Sequence, residues 1–591
     1  ALPVESPNHG SRQLVSEPAN LAASPYGWHD DDGAAGAEYT ITRGNNVWAQ
    51  LDDDGNDGTG YSPDGAGSLN FNFALDFNQQ PSGYQDAAIT NLFYMNNMMH
   101  DIWFQYGFDE AAGNFQEKNY GAPFFEDGDS VNADAQDGSG VNNANFGTPP
   151  DGGNPRMQMF LWEDSFGGQP LTINNGALAG DYSGTEANFG DLLPTTPLTA
   201  DLGLMVDDDS TPTSSDPNDG CDTIIEPLLG KIAVIRRGDC EFGFKVLNAE
   251  NAGAIAVIIV NNVADPEYIF MGGGAVGDSV TIPSILVSQT DGEAIIASLI
   301  NGDTINASLV LPNRIDGDFD NGIIAHEYGH GISNRLTGGA ATTNCLNNSE
   351  QMGEGWSDWF GLMVTMESSD LGTDGRGVGT FANAEETDGV GFRPKKYSTD
   401  FAINDFTFAD SNTQVVPHGL GSVWCTVLWD LTWAYIDKYG FDSDILNGTG
   451  GNNKVMQLVI DGLKLQPCGP GFVEGRDAIL AADIALTGGE DQCLIWTVFA
   501  NRGLGIIADS GFEILATDQV EDFTLPDPGD ASLANCTSAL DAKEFDTEDY
   551  KIYPNPSSNK LFIKTSKSIG DVVLTLSDIN GRTVKSQKAM L

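Results

Sequence analysis

The stretch NGIIAHEYGHGISNRL, Asn321 to Leu336, carries two of the six histidines in a chain of 591 residues, four positions apart on either side of a glutamate. If the segment is helical, residues i and i+4 lie above one another on one face, so His326 and His330 converge on one point. Two imidazoles directed at one point suit a transition metal, zinc before others. Glu327 follows the first histidine and emerges beside that point, where it can take a proton from water at the metal.

A catalytic zinc takes three protein ligands and keeps one position open. Ser333 and Leu336 stand where an extended HExxHxxGxxH pattern needs its glycine and third histidine, so the third ligand must come from elsewhere. In EQMGEGWSDWFGLM, Glu354 begins a helix-like run and Asp358 follows one turn later on the same face. Glu354 can meet the metal while Asp358 holds a ligand histidine in one tautomer. Glu350, four residues before Glu354, is a rival ligand, and the plain alternative for Asp358 is an exposed helix acid.

Composition sets the frame around this motif. The length exceeds a single core and implies about three or four domains. Hydrophobic residues make up 40% and there are ten tryptophans, which describes packed globular structure. A formal net charge of -58, from 85 acids against 27 Lys plus Arg, repels nucleic acid and anionic membranes. The acids gather with Gly and Asn, as in DDDGNDG (Asp52 to Gly58) and VDDDSTPTSSDPNDG (Val206 to Gly220), loops that could hold calcium but lack the full EF-hand spacing. The longest apolar run, AIAVIIV (Ala254 to Val260), is far below the ~20 residues a bilayer span needs and reads as a buried strand. No initiator Met and no basic-then-apolar leader is present, from which we expect any export signal to have been removed. Two near pairs of cysteines, Cys221 with Cys240 and Cys468 with Cys493, suggest disulfides worth ~3 kcal/mol each in an oxidising compartment. Cys345, Cys425 and Cys536 have no evident mates.

The pattern of the text changes along the chain. Residues 1–84 read as strands and long loops, and 85–162 opens with helical periodicity from Asp86 to Phe108 before returning to short strands. Residues 163–312 alternate buried strands with a helix near Phe242 to Asn251, an α/β unit without a single histidine. Helices dominate 313–515, with Gly440 and Gly488 at expected C-caps. Residues 516–548 read as an Asp-, Pro- and Ser-rich linker. In 549–591 strands alternate, with Asn580-Gly581 as a type I′ hairpin turn. The chain ends soon after that turn, so this last module is expected to be partial. The fold class is α+β.

Five separated segments, AHEYGHGISNRLTGG, NCLNNSEQMGEGWSD, QDGSGVNNANFGTPPDG, LQPCGPGFVEGRDAIL and YGWHDDDGAAGAEYTITRGNN, resemble the fungalysins, extracellular zinc endopeptidases allied to thermolysin. The likeness runs from Ser24 to Asp509 apart from Glu163 to Pro312. It implies a two-lobed thermolysin-like fold and a secreted, monomeric hydrolase of proteins or peptides, with one zinc held by His326, His330 and Glu354 and with Glu327 as general base. By the same resemblance, His418 in VPHGLGSVW bonds the tetrahedral oxyanion, and Asn143 and Ala144 belong to an edge strand that pairs with substrate backbone. Gly329 departs from a bulkier family residue. Thermolysin's helper tyrosine has no counterpart between Gly331 and Gly353, so the second oxyanion donor is unassigned, with Arg335 the one residue offered for it. Residues 163–312 resemble a protease-associated domain, a lid or recruiting module. The tail beginning YKIYPNPSSNKLFI resembles the sorting domain read by type IX secretion machinery. A different class of reading is a secreted adhesion or recruitment protein whose metal site is only structural.

Overall fold

The computed structural model describes residues 12–590 except 78, 122–126, 163–168, 209, 211–213, 264–270, 313, 513, 537–549, 554–561, 566–570 and 578–582. The chain divides into two compact units, Ala1–Ala482 with Val498–Thr524, and Asp483–Thr497 with Leu525–Leu591.

The first unit opens with loops and one strand, β1 (Val47–Leu51), followed by the long helix α1 (Gln85–Gln105). β1 joins β2 (Val131–Ala135), β3 (Ala144–Gly147) and β4 (Arg156–Met159) in a sheet of order β1-β2-β4-β3. β1, β2 and β4 run parallel, whereas β3 lies antiparallel to β4 and forms one edge.

Between Leu171 and Leu309 an eight-stranded sheet follows, with helices α2 (Phe242–Asn251) and α3 (Gln289–Ile300). Its inner strands, Ile232–Arg236 and Ala256–Val260, are nearly continuous apolar runs because both faces are covered. Ile232, Val234 and Ile258 face a core that includes Ile295 and Ile296 of α3. Ala233, Ile235, Val257 and Ile259 face the opposite core with Val246 and Ala249 of α2. The side-chain period of two thus sorts one strand between two helices.

The rest is helical: α4 (Asn321–Leu336), α5 (Gly353–Val364), α6 (His418–Tyr439), α7 (Gly451–Leu465), α8 (Phe472–Thr487) and α9 (Gln492–Asn501). Gly440 ends α6 at φ +80, and Gly488 follows α8 at φ +78, both in the region that glycine tolerates best. Among the described residues no helix is long and apolar enough to cross a membrane. Part of the expected linker is tied down: Val520 bridges Asp509, and Asp522 bridges Leu504.

In the second unit, strands Tyr550–Tyr553 and Phe562–Thr565 pair antiparallel, as do Asp571–Ser577 and Thr583–Met590. The Asn580-Gly581 turn lies outside the described residues.

The cysteines correct one expectation. Cys221 bonds Cys240, but Cys468 bonds Cys345 across 123 residues and Cys493 bonds Cys536 across 43, so Cys468 and Cys493 are not partners. Proximity in sequence misled because the loops entering α5 and α8 meet in space: the Gly469 amide donates to the Cys345 carbonyl at 2.8 Å. Cys425 is a buried free thiol.

Candidate metal centre

The site is built where α4, α5 and α6 cross. Asp320 caps α4 by accepting from the Ile323 amide at 3.1 Å, which starts the helix so that His326 and His330 lie on one face. Glycines then allow the helices to close. A Cβ at Gly329 would stand 2.8 Å from the Phe360 ring of α5, so the small residue makes room for that ring. At the α5–α6 crossing a Cβ on Gly355 would lie 2.3 Å from the Gly421 carbonyl oxygen, and one on Gly421 2.5 Å from the Glu354 Cβ. Two glycines back to back bring Glu354 and the start of α6 together.

His326 Nε2 and His330 Nε2 are 3.1 Å apart, and Glu354 offers Oε2 at 3.4 Å from the first and Oε1 at 3.6 Å from the second. One ligand atom from each of the three residues falls within 4.8 Å of the others. Two imidazole nitrogens and one carboxylate oxygen are the donor set a zinc ion takes, so the residues present fit that metal. His326 Nδ1 lies at an ion-pair distance of 2.8 Å from Asp358 Oδ1, so Asp358 stands behind the ring whose Nε2 faces Glu354.

Beyond the expected residues, two more complete the support. Arg393 donates from Nε and Nη2 to Asp358 at 2.7 and 2.8 Å and from Nη2 to Glu354 at 3.1 Å, while the Tyr397 hydroxyl donates to Asp358. Neither was foreseen, because both come from an aperiodic loop. The available signal was charge: two buried carboxylates demand a buried cation.

Electrostatics follow from this cage. Burial lifts the Glu327 carboxyl from 4.5 to about 7. Burial would also raise Glu354, but His326, His330 and Arg393 draw it down to about 2. Asp358 is likewise opposed by burial yet held below the usual carboxylate range by Arg393 and His326. Burial, then the neighbouring His326, keeps His330 neutral, the form that ligates.

His418 is the first residue of α6, with Nε2 3.6 Å from Glu354 Oε2 and its side chain 59% exposed. Its pKa is lowered, chiefly by burial of part of the ring. Ala144 begins the edge strand β3, and Asn143 precedes it, exposed. A Cβ at Gly331 would stand 2.6 Å from the Phe146 ring, so β3 lies directly on α4.

Two candidates fall away. Arg335 is fully buried, donating to Asp129, Asp151 and the carbonyls of Gly113 and Pro149, and so cannot serve an oxyanion. Glu350 is buried beside Glu474, Ser510 and Gln519 rather than in the three-residue metal group.

Residues 1–508 match the model of the fungalysin metallopeptidases. The chain belongs to that family. Residues 551–590 of this fungalysin match the secretion system C-terminal sorting domain. Similar proteins include extracellular metalloproteinase MEP of Fusarium vanettenii, 32% identical over 88% of this chain and 59% of that protein. Extracellular metalloproteinase 10 of Coccidioides posadasii is 33% identical over 85% of this chain and 57% of that protein. Extracellular metalloproteinase 2 of Trichophyton tonsurans is 30% identical, with the same two shares of 85% and 57%. The fungalysin chain therefore spans a little over half the length of these relatives.

Proposed function

We propose that this protein is a secreted zinc-dependent endopeptidase. The observation that carries the reading is the convergence of His326, His330 and Glu354 on one point beside the buried Glu327. Membership of the fungalysins and the names of the relatives support it. His326, His330 and Glu354 would hold the zinc, which when bound supplies a Lewis acid for the scissile carbonyl and acidifies water. Glu327 accepts the proton of the attacking water and returns it to the leaving amine, for which a carboxyl near pH 7 is well matched. His418 donates to the oxyanion, a contact typically worth ~2.7 to 4 kcal/mol. Asp358 orients His326, and Arg393 neutralises the two carboxylates. Asn143 and Ala144 take the substrate as an added strand on the free edge of β3.

Export through type IX machinery is supported by the sorting domain. Residues 163–312 act as an inserted protease-associated module that recruits or covers substrate, consistent with their own two-faced core. The test is casein hydrolysis with and without phenanthroline, with zinc restored afterwards and cleavage sites mapped by mass spectrometry. Chelator-sensitive cuts within peptide chains are expected. Zinc bound without peptide cleavage would favour the adhesion reading instead.

A further inference from the structure

The carboxylate that loses the competition for the zinc has an unexplained setting of its own. Glu350 is 2% exposed, and its Oε2 has no hydrogen-bond partner. The Ser510 hydroxyl and the Gln519 side chain reach the same carboxyl group, and Glu474 and Asp518 add negative charge to its surroundings. The point a Cβ would occupy on Gly471 lies 2.3 Å from Glu350 Oε2, 2.8 Å from Ser510 Oγ and 3.0 Å from Glu474 Oε2, so these oxygens crowd one small volume.

Three more buried oxygens, on residues linked to Glu350 or to the chain beside Gly471, are also without partners. They are Gln519 Oε1, on a residue 5% exposed, Asp518 Oδ1 and Asn348 Oδ1. Asn348 is placed here by donating from Nδ2 to the Pro470 carbonyl at 2.9 Å, one residue before Gly471. These four orphans are all acceptors, and the five strongest influences on Glu350 include no arginine, lysine or histidine. A buried acceptor without a partner is destabilising, so four together call for a donor or a cation from outside the chain.

Other acidic gatherings differ. The group Asp52, Asp57, Asp134 and Asp137 is closed by protein donors: Arg156 and Gln50 serve Asp134, and Gln158 and the Ser139 amide serve Asp137. The group Asp30, Asp32 and Glu38 has two exposed members.

We propose that Glu350, Glu474, Gln519 and Ser510 form a second cation site, separate from the zinc centre and flanked by the charge of Asp518, for a hard divalent ion of the calcium class. An all-oxygen set mixing carboxylates, a side-chain amide and a hydroxyl suits calcium, whereas zinc selects nitrogen and sulfur. The bound ion ties the loop entering α5 to the start of α8 and to residues 509–519. It braces the chain four residues ahead of Glu354.

The test uses the full-length protein freed of calcium with EGTA, cleared of the chelator and reloaded with one equivalent of zinc, then titrated with CaCl2 while the unfolding midpoint and the calorimetric heat are followed. Wild type is expected to show a rise in midpoint that grows with calcium concentration. Glu350→Gln should abolish the rise and remove one calorimetric binding event, while Asp32→Asn combined with Glu38→Gln should leave both intact. Should Glu350→Gln fail to fold, Gln519→Leu keeps the acids and should weaken calcium binding by about tenfold or more. The site is refuted if wild type shows no rise, if the rise survives Glu350→Gln or Gln519→Leu undiminished, or if it disappears in the Asp32/Glu38 variant. These readouts do not depend on peptidase activity, so the proposal stands or falls apart from the catalytic one.

Discussion

Burial sets the Glu327 carboxyl apart from an ordinary one: removed from water, it rises from 4.5 to about 7, the range that the proposed role as base asks for. Glu327→Gln should lower kcat/KM by at least ~10² to 10⁴-fold while bound zinc, counted by metal analysis, stays at one per chain. The acid limb of kcat/KM should fall between pH 4.5 and about 7, since burial raises the carboxyl and a cation beside it lowers it again. A profile flat down to pH 4.5 removes Glu327 from the role. Asp358→Asn should weaken zinc binding by ~10 to 100-fold, read by competition with a chromogenic chelator, because His326 loses the partner that fixes its tautomer. Stability has its own signs. Glu354, drawn down to about 2, contributes stability that is present above 4.5 and is lost as pH falls toward 2. Glu350, lifted to about 7 chiefly by burial, binds more protons folded than unfolded, so it subtracts stability as pH rises from 4.5 to 7. At this scale the sequence was readable where the chemistry is local: His326, Glu327 and His330, and then Glu354 with Asp358, sit at helical spacing. Arg393 and Tyr397 were not, because nothing in the aperiodic stretch around them signals that it folds back onto α5.

Glycines set the geometry between helices. Gly421→Ala would press a methyl group into the Glu354 Cβ, 2.5 Å away. The expected cost is about 1–3 kcal/mol of stability by denaturant titration. A loss of kcat larger than that destabilisation explains is also expected, since α5 and α6 must part where Glu354 meets His418. Most helices were plain in the text, α2 to the residue, because amphipathic periodicity and glycine stops are local signals, but α3 was read as part of a buried strand because its apolar run continues directly from one. Which helices cross, and how closely, is settled by tertiary packing. The rival standing of Glu350 shows the limit: it shares the helical spacing of Glu354, yet the chain turns before Gly353 and carries it to a different neighbourhood.

At the scale of the whole molecule the disulfides do what periodicity cannot. The chain-entropy relation makes the 123-residue loop closed by Cys345 and Cys468 worth about 5 kcal/mol, against about 3 for the 19-residue loop of Cys221 and Cys240. Replacing Cys345 and Cys468 together by alanine should therefore lower the thermal midpoint more than replacing Cys221 and Cys240, as differential scanning calorimetry would show. The pairing escaped the sequence reading because odd cysteine numbers and long loops leave many connectivities open. Its position matters as much as its size. Glu354, Asp358, Arg393, Tyr397 and His418 all fall between Cys345 and Cys468, whereas His326, Glu327 and His330 lie before the first of them. One covalent clasp thus locks the whole borrowed half of the zinc cage onto a body that already holds the histidines. Reduction of that one bond would leave the segment from Glu354 to His418 held against the histidine-bearing helix by packing alone, so the integrity of the cage is tied to an oxidising compartment.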